Sequence, residues 1–183
     1  DGEELVLSRQ DDGMGLLALM TGSEGLLGII IEVTLKLTKS PELARVVMAG
    51  FDTVRDCADS VADIIKAGII PAGLEMMDKI AIHATEDFTK AGYPLDAEAL
   101  LLCELDGNEE EVQSELDVVN EILSGASSLV VSNNEHERLT YWRGRKSAFP
   151  AIGRISPDYY CMDGTIPRRH LGEMLAKISE LSK

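Results

Sequence analysis

Six basic side chains are concentrated between residues 143 and 169 of an otherwise acidic chain. The same stretch holds only two acids, Asp158 and Asp163, so its net charge is +4 while the remainder of the chain carries −19. A local positive patch attracts small anions, and a planar guanidinium binds a carboxylate or a phosphate through two parallel hydrogen bonds. The same cations would also suit an interface or ion pairs with the acidic helices, and the sequence leaves these alternatives open. The basic residues are Arg143, Arg145, Lys146, Arg154, Arg168 and Arg169.

A second candidate for chemistry is the glycine-rich stretch at residues 21–28, with glycines at positions 22, 25 and 28. Glycine lets a backbone approach a ligand or another strand closely. A dinucleotide fingerprint or a phosphate-binding loop needs a strand before the glycines and a helix after them. Here a short helix is predicted at residues 16–20 and an alternating strand at residues 30–38, which is the reverse order. A structural turn and a turn that cradles a cofactor both remain possible.

Other polar groups have weaker patterns. Glu75 and Asp78 are carboxylates at positions i and i+3, and we interpret them as a strand-end pair or a helix cap in preference to an acid–base pair. The histidines and cysteines lack metal-ligand spacing and any C-x-x-C pair, so neither a metal site nor a disulfide framework is expected. They are His83, His136, His170, Cys57, Cys103 and Cys161.

Composition narrows the class of protein. The chain has 183 residues, 45% of them hydrophobic and 27% charged, which is typical of a globular protein with a real core. Its net charge of −15 argues against general nucleic-acid binding, because phosphate neutralisation requires a basic face. No apolar run approaches the ~20 residues of a membrane span, so no transmembrane segment is expected. The unpaired cysteines favour a reducing, cytoplasmic environment.

The elements that must position these groups form two β-α-β units joined by a helical connection. Apolar alternation predicts strands, and apolar faces at helical spacing predict helices. This order predicts an α+β fold, a ferredoxin-like antiparallel sheet with helices on one face. Predicted strands cover residues 45–51, 73–77, 99–105 and 128–131, and predicted helices cover residues 54–65, 79–90 and 112–123.

The two ends of the chain complete the prediction. Residues 135–149 are predicted to form a helix that stops before Pro150, followed by a strand at residues 158–163 and a final helix after Pro167. The proline and the loss of alternation near residue 41 indicate a domain boundary. Residues 1–41 have too little core for an independent fold and are interpreted as the tail of a preceding domain, with residues 42–183 forming the next.

Two separated blocks resemble one family of flavoproteins. Residues 22–30, GSEGLLGII, resemble a motif near the end of the FAD domain of vanillyl-alcohol-oxidase-type flavoproteins. Residues 141–168, from YWRGRKSAF to DGTIPR, resemble the FAD-linked chain of bacterial glycolate oxidases. The resemblance implies that the chain is an internal fragment: residues 1–41 as a remnant of the FAD-binding domain, and residues 42–183 as a substrate domain truncated at its C-terminus.

The resemblance also assigns roles to residues. It implies that a stretch of the glycine-rich segment lines the flavin through backbone groups, and that Arg145 grips the carboxylate of the substrate. Leu26 replaces a threonine that is usual in the family. Cys161 and Phe149 stand where a relative that acts on a dicarboxylate has lysine and threonine, which favours a short monocarboxylate. The flavin-lining residues are Gly22, Ser23, Glu24, Gly25, Gly28 and Ile29.

The implied reaction is oxidation of a 2-hydroxy acid, glycolate or D-lactate, to the 2-keto acid, with hydride transfer to FAD. The implied catalytic base lies outside this chain, which is expected to be inactive and to lack FAD by itself. The implied partners are other glycolate oxidase subunits, including an iron–sulfur subunit, through which a cytoplasmic protein would lie at the inner membrane. From a different class, a non-catalytic ferredoxin-like module for ligand binding or regulation remains the alternative.

Overall fold

The computed structural model describes residues 2–10 and 15–181, and the chain divides into two compact units, Asp1–Lys39 and Ser40–Lys183. The second unit contains the sheet. Its strands are β1 (Leu43–Phe51), β2 (Gly73–Asp78), β3 (Ala99–Gly107) and β4 (Ser128–Val131). The helices are α1 (Leu16–Met20), α2 (Val54–Lys66), α3 (Lys79–Thr89), α4 (Glu109–Ile122), α5 (Glu135–Lys146), α6 (Ala148–Ile155) and α7 (Leu171–Leu181).

The first unit contains the short helix α1 and an extended segment. Helix α1 is confirmed, and it follows Gly15, whose positive φ of 62° suits glycine. The strand predicted at residues 30–38 is wrong, since this segment joins no ladder in the described part of the chain. A strand requires a partner for its amides and carbonyls, and apolar alternation alone does not supply one. Its apolar side chains lie in solvent, with Ile31 74% and Leu37 89% exposed.

The second unit is built on a four-stranded antiparallel sheet in the order β2-β3-β1-β4. This is the strand order of a ferredoxin-like β-α-β-β-α-β arrangement, and it confirms the predicted α+β class. Strand β1 pairs with β3 along its whole length, from Leu43 opposite Gly107 to Phe51 opposite Ala99. The two central strands therefore form the rigid centre of the domain.

The two crossover helices, α2 and α4, cover one face of the sheet, as predicted. Helix α2 is capped by Thr53, whose hydroxyl accepts from the Asp56 amide at 3.0 Å. Helix α4 starts with a capping box in which Asn108 and Glu111 exchange hydrogen bonds. The core beneath these helices takes alternate residues of β1 and β3, including Val47, Phe51, Leu101 and Leu105, together with Ile64 and Val119 of the helices.

A second helical layer covers the opposite face. There the remaining alternate residues of the central strands, Val46, Met48, Leu100 and Leu102, pack against Ile82 of α3 and Tyr141 of α5. The single helical layer expected from the sequence is thus incomplete. The run at residues 99–103 is apolar at every position, a pattern typical of a strand buried on both faces.

The segment after α5 differs from the prediction in two ways. The helix predicted for residues 135–149 is two helices, because the backbone turns at Ser147 and Pro150 lies at the third position of α6. Proline is tolerated there since the first-turn amides of a helix have no intrahelical acceptor. The strand predicted at residues 158–163 is also wrong: it pairs with nothing in the described residues, and Tyr160 is 88% exposed. The final helix is confirmed as α7.

Candidate functional site

Helix α5 presents three large side chains to the end of the sheet formed by β2 and β3. Arg138, Trp142 and Arg145 have the spacing i, i+4 and i+7, which places them on one helical face. On the sheet, Glu75 of β2 and Glu104 of β3 belong to the α5-facing set of alternate residues. We call the five side chains Glu75, Glu104, Arg138, Trp142 and Arg145 the α5–sheet contact.

Glu104 holds the first two turns of α5. One of its oxygens, Oε2, accepts from Nη1 of Arg138 at 2.7 Å and from the indole N–H of Trp142. Arg138 also donates from Nε and Nη2 to the two oxygens of Glu135, both at 2.7 Å. The hydrogen bonds from Arg138 to Glu135, and then the bond to Glu104, hold the pKa of Arg138 above its ordinary value. Because Arg138 and Glu104 are 18% and 15% exposed, this pair is largely withdrawn from water.

Arg145 occupies the last turn of α5 and pairs with Glu75. Its Nε and Nη2 both donate to the single oxygen Oε2 of Glu75, at 3.1 and 2.9 Å. The side chain of Arg145 remains 32% exposed and that of Glu75 remains 41% exposed. Glu75 therefore restrains the guanidinium of an arginine side chain that is still partly exposed to solvent.

Two glycines bring α5 unusually close to its neighbours. A Cβ on Gly144 would lie 2.8 Å from Cε2 of Tyr93, and a Cβ on Gly73 would lie 2.7 Å from Cζ2 of Trp142. Tyr93 donates its hydroxyl hydrogen to the carbonyl oxygen of Tyr141, one turn before Arg145. Burial raises the pKa of the Tyr93 phenol, so that this donor stays protonated at neutral pH.

Three of the other basic residues of the sequence patch contact groups away from the Arg145–Glu75 pair. Arg143 donates to the carbonyl oxygen of Thr89 at 3.3 Å, and Arg154 lies over the ring of Phe88 with 4.3 Å to its centroid. Arg169 contacts its neighbour His170 at 3.0 Å. Intramolecular contacts, one of the alternatives left open by the sequence, therefore account for much of the patch.

The two carboxylates singled out from the sequence, Glu75 and Asp78, have different roles in the structure. Asp78 caps α3, because its Oδ1 accepts from the Ala81 amide at 2.9 Å, and this confirms the helix-cap interpretation. Glu75 is the partner of Arg145 and was not predicted as such. Glu104 and Tyr93 were not identified from the sequence either. The sequence did contain a signal for the two glutamates, since both occupy positions of neighbouring strands whose alternate residues share the face that packs against α5.

The glycine-rich segment of the first unit forms two consecutive turns. The Ser23 amide donates to the Met20 carbonyl at 3.2 Å, and the Leu26 amide donates to the Ser23 carbonyl at 2.9 Å. Gly22 and Gly25 have positive φ values of 78° and 79°, and Glu24 between them has 51°. A Cβ on either glycine would meet nothing within 4 Å, so open space lies beside the backbone at both positions.

One polar atom in this segment has no partner. The hydroxyl oxygen of Ser23 is shielded from solvent and forms no hydrogen bond with any described residue. A buried hydroxyl without a partner is costly, which favours a ligand or another segment that completes the turn. Of the remaining predicted residues, Ile29 is 87% exposed, and Gly28 lies against Met20, whose Cε would be 3.1 Å from an added Cβ.

The remaining predicted features concern a metal site, the length of the substrate and a membrane span. Within residues 2–10 and 15–181, no three His, Cys, Asp or Glu side chains are grouped as a metal site would require. Cys161 is exposed, and the ring of Phe149 stacks on Tyr159 with 6.4 Å between centroids. None of the helices in these ranges has the length and apolarity needed to cross a bilayer.

The fold and the contact of α5 with the sheet define an α+β domain of ferredoxin-like topology that carries a partly exposed, carboxylate-held arginine. The chain belongs to the family of FAD linked oxidases, C-terminal domain, whose model matches residues 40–183.

Individual relatives agree with this assignment. Over its whole length the chain is 56% identical to glycolate oxidase subunit GlcD of Escherichia coli K12, and it covers 38% of that protein. It is 34% identical to GlcD of Bacillus subtilis, with 96% of the chain and 38% of the relative covered, and 30% identical to a mitochondrial D-lactate dehydrogenase [cytochrome] of Arabidopsis thaliana, with 90% and 30% covered. The chain thus spans under two fifths of the length of these relatives.

A solved structure supports the fold. An alkyldihydroxyacetonephosphate synthase superposes with a TM-score of 0.65 over 93% of this chain and 36% of its own, at 19% sequence identity. At that identity the likeness concerns the fold alone.

Proposed function

We propose that this chain is part of a flavin-dependent oxidoreductase that converts a short 2-hydroxy acid, glycolate or D-lactate, to the 2-keto acid. The observation that carries the proposal is the 56% identity to a glycolate oxidase subunit across the entire chain. Relatives named D-lactate dehydrogenase favour the same class of substrate. The geometry adds a partly exposed arginine that suits a substrate with one carboxylate.

Arg145 is the proposed carboxylate-binding residue. A guanidinium has five N–H donors, and Glu75 uses one on Nε and one on Nη2. The edge formed by Nη1 and Nη2 keeps a donor on each nitrogen, and two such donors match a carboxylate in a bidentate pair. Arg145 would bind the substrate and fix its orientation, while a base contributed from outside this chain would take the hydroxyl proton.

The glycine-rich segment is the proposed contact with FAD. The residues present fit a flat, polar ligand: the space beside Gly22 and Gly25 is open, and Ser23 has a shielded hydroxyl without a partner. When bound, FAD would supply the hydride acceptor for the oxidation. The proposed lining residues are those assigned by the resemblance: Gly22, Ser23, Glu24, Gly25, Gly28 and Ile29.

We also propose that residues 1–41 belong to the FAD-binding domain and residues 42–183 to the substrate domain, each continued in the longer parent protein. The exposed apolar alternation at residues 29–37 supports this division, because such a segment gains stability when a sheet covers it. In the parent, we expect assembly with further oxidase subunits, including an iron–sulfur subunit, and a cytoplasmic location at the inner membrane through those partners. The name of the Escherichia coli relative, a subunit of glycolate oxidase, supports the assembly.

The test is made on the full-length parent protein. We expect a flavin absorbance band after purification and reduction of a dye acceptor by glycolate or D-lactate. Arg145→Ala should lower kcat/KM for the hydroxy acid by about 10- to 100-fold, since a hydrogen bond to a charged group contributes ~1.5–3 kcal/mol. Arg55→Ala is the matched control, because the Arg55 side chain is 80% exposed on α2 and its Nε lies 3.8 Å from Oδ2 of Asp59.

Two results would contradict the proposal. A folded parent without flavin and without hydroxy-acid turnover would favour the non-catalytic module. An Arg145→Ala variant that retains flavin and normal kinetics would remove Arg145 from the substrate site while leaving the class of enzyme intact.

A further inference from the structure

We propose that Glu75 is a positioning residue that orients Arg145 for its carboxylate ligand. This inference rests on the proposed function, in which Arg145 binds the 2-hydroxy acid. The two side chains are 70 residues apart in sequence and meet through two hydrogen bonds to one carboxylate oxygen.

Glu75 contacts one particular edge of the Arg145 guanidinium. Nε and Nη2 form the lateral edge, and both donate to Oε2 of Glu75 at 3.1 and 2.9 Å. Nη1 donates no hydrogen bond to any described residue. A carboxylate on the lateral edge therefore fixes the plane of the guanidinium and leaves the terminal edge for a second carboxylate.

The backbone is rigid on both sides of the Arg145–Glu75 pair. Glu75 belongs to β2 and lies opposite Leu102 in the register with β3, a strand that is paired on both sides. The backbone near Arg145 is fixed as well, through Tyr93 packed against Gly144. The flexible component between these two supports is the long side chain of Arg145, whose many rotamers are costly to restrict on binding. The ion pair with Glu75 restricts them beforehand.

Arg145 differs from Arg138, which lies on the same face of α5, in how many of its donors are used. Arg138 donates from Nε, Nη1 and Nη2 to two carboxylates and is 18% exposed, which is the arrangement of a structural pair. Among the described residues, the Arg145 side chain donates to a single oxygen, and it is 32% exposed. All three guanidinium nitrogens of Arg138 donate to carboxylates, whereas Nη1 of Arg145 donates to no described residue.

The test is a double-mutant cycle in the full-length flavoprotein, with kcat and KM measured for whichever of glycolate and D-lactate is oxidised. Glu75→Ala should lower kcat/KM by about 5- to 20-fold when Arg145 is present and by less than about 2-fold in an Arg145→Ala background. Glu75→Gln keeps an oxygen acceptor and should restore most of the loss. It also provides the measurement if Glu75→Ala fails to fold.

The control is Glu98→Ala, which removes the carboxylate of another pair between elements, Lys79–Glu98, at 2.6 Å and about half exposed. It should leave kcat/KM unchanged. An equal effect of Glu75→Ala in both Arg145 backgrounds, or no effect in either, would overturn the positioning role while the proposed function stands. If Arg145→Ala alone has no effect, or if no hydroxy acid is oxidised, the proposed function of Arg145 and this inference fall together.

Discussion

Replacing Gly144 by alanine tests how tightly α5 is held at the turn that carries Arg145. The new Cβ would lie 2.5 Å from Cζ and 2.8 Å from Cε2 of Tyr93, well inside ordinary contact distance. Tyr93 is only 4% exposed, so its ring cannot move without displacing the core beneath α5. Overpacking of this kind costs about 1–3 kcal/mol.

Two further contributions nearly cancel. Displacement of Tyr93 weakens its hydrogen bond to the Tyr141 carbonyl, which costs about 0.5–1.5 kcal/mol. Alanine in place of glycine inside a helix contributes about 1 kcal/mol of stability. The net expectation is a free energy of unfolding lowered by about 1–3 kcal/mol.

Urea unfolding followed by fluorescence provides the assay, since the sequence has a single tryptophan, Trp142, and it lies on α5. Gly153→Ala is the matched control in the next helix, where the nearest atom to the new Cβ is Cε1 of Tyr159 at 3.8 Å. The control should be neutral or more stable by up to about 1 kcal/mol. A Gly144→Ala variant with an unfolding midpoint equal to or above that of the unsubstituted chain would refute the close contact of Tyr93 with α5.

Three further predictions concern the reactivity of the cysteines, their effect on stability at high pH, and a helix cap. At neutral pH, the exposed Cys161 should react quickly with a disulfide reagent. Cys57 and Cys103 should react only on unfolding, because burial raises their thiol pKa values to about 12. A second fast-reacting thiol in the native protein would contradict this prediction. Because the two buried thiols stay neutral in the folded protein, they favour the folded state fully below their ordinary pKa. As pH rises from about 9 towards 12, the free energy of unfolding should fall by up to ~1.4 kcal/mol per pH unit for each thiol. Alanine at both positions should flatten this slope in unfolding experiments. Asn108→Ala should lower the free energy of unfolding by about 0.5–2 kcal/mol, because it removes the capping box of α4. The control, Gln113→Ala at an exposed position of the same helix, should change it by less than about 0.5 kcal/mol. Equal effects of the two variants in urea unfolding would argue against the cap.

Local patterns predicted most of the ferredoxin-like unit. These patterns depend on residues that are close together in the sequence. Examples are the apolar face and Thr53 cap of α2 and the apolar run that forms β3. Such signals survive folding because each element buries its own apolar side against the same core. The family resemblance then directed attention to Arg145, which the charge pattern alone did not separate from its basic neighbours.

Features that depend on distant partners could not be predicted in the same way. The pattern at residues 30–38 alternates like a strand, but a ladder also needs a neighbouring strand at the right register, and the described chain offers none. The same requirement explains residues 158–163. Pro150 was interpreted as a helix end, although a proline in the first turn of a new helix is equally compatible with its missing N–H.

The α5–sheet contact shows why charge concentration was an ambiguous guide to function. Arg138 lies outside the basic stretch, yet it forms the better-protected pair, with Glu104 of β3 and Glu135 as its acceptors. Arg145 lies inside the stretch and has one carboxylate oxygen as its partner. Both arginines contribute the same charge, but they differ in the number of guanidinium nitrogens that donate hydrogen bonds.

This difference in engagement follows from the sheet. Glu104 is on β3, the strand flanked by β1 and β2, so its charge is withdrawn from water and requires several donors. Glu75 is on β2 at the edge of the sheet and remains 41% exposed, so water solvates part of its charge. An arginine paired at the edge can therefore keep a free face without leaving a buried charge unsatisfied, whereas one paired at the centre cannot. Under the proposed function, the edge position of β2 is what leaves Arg145, and not Arg138, able to bind a carboxylate.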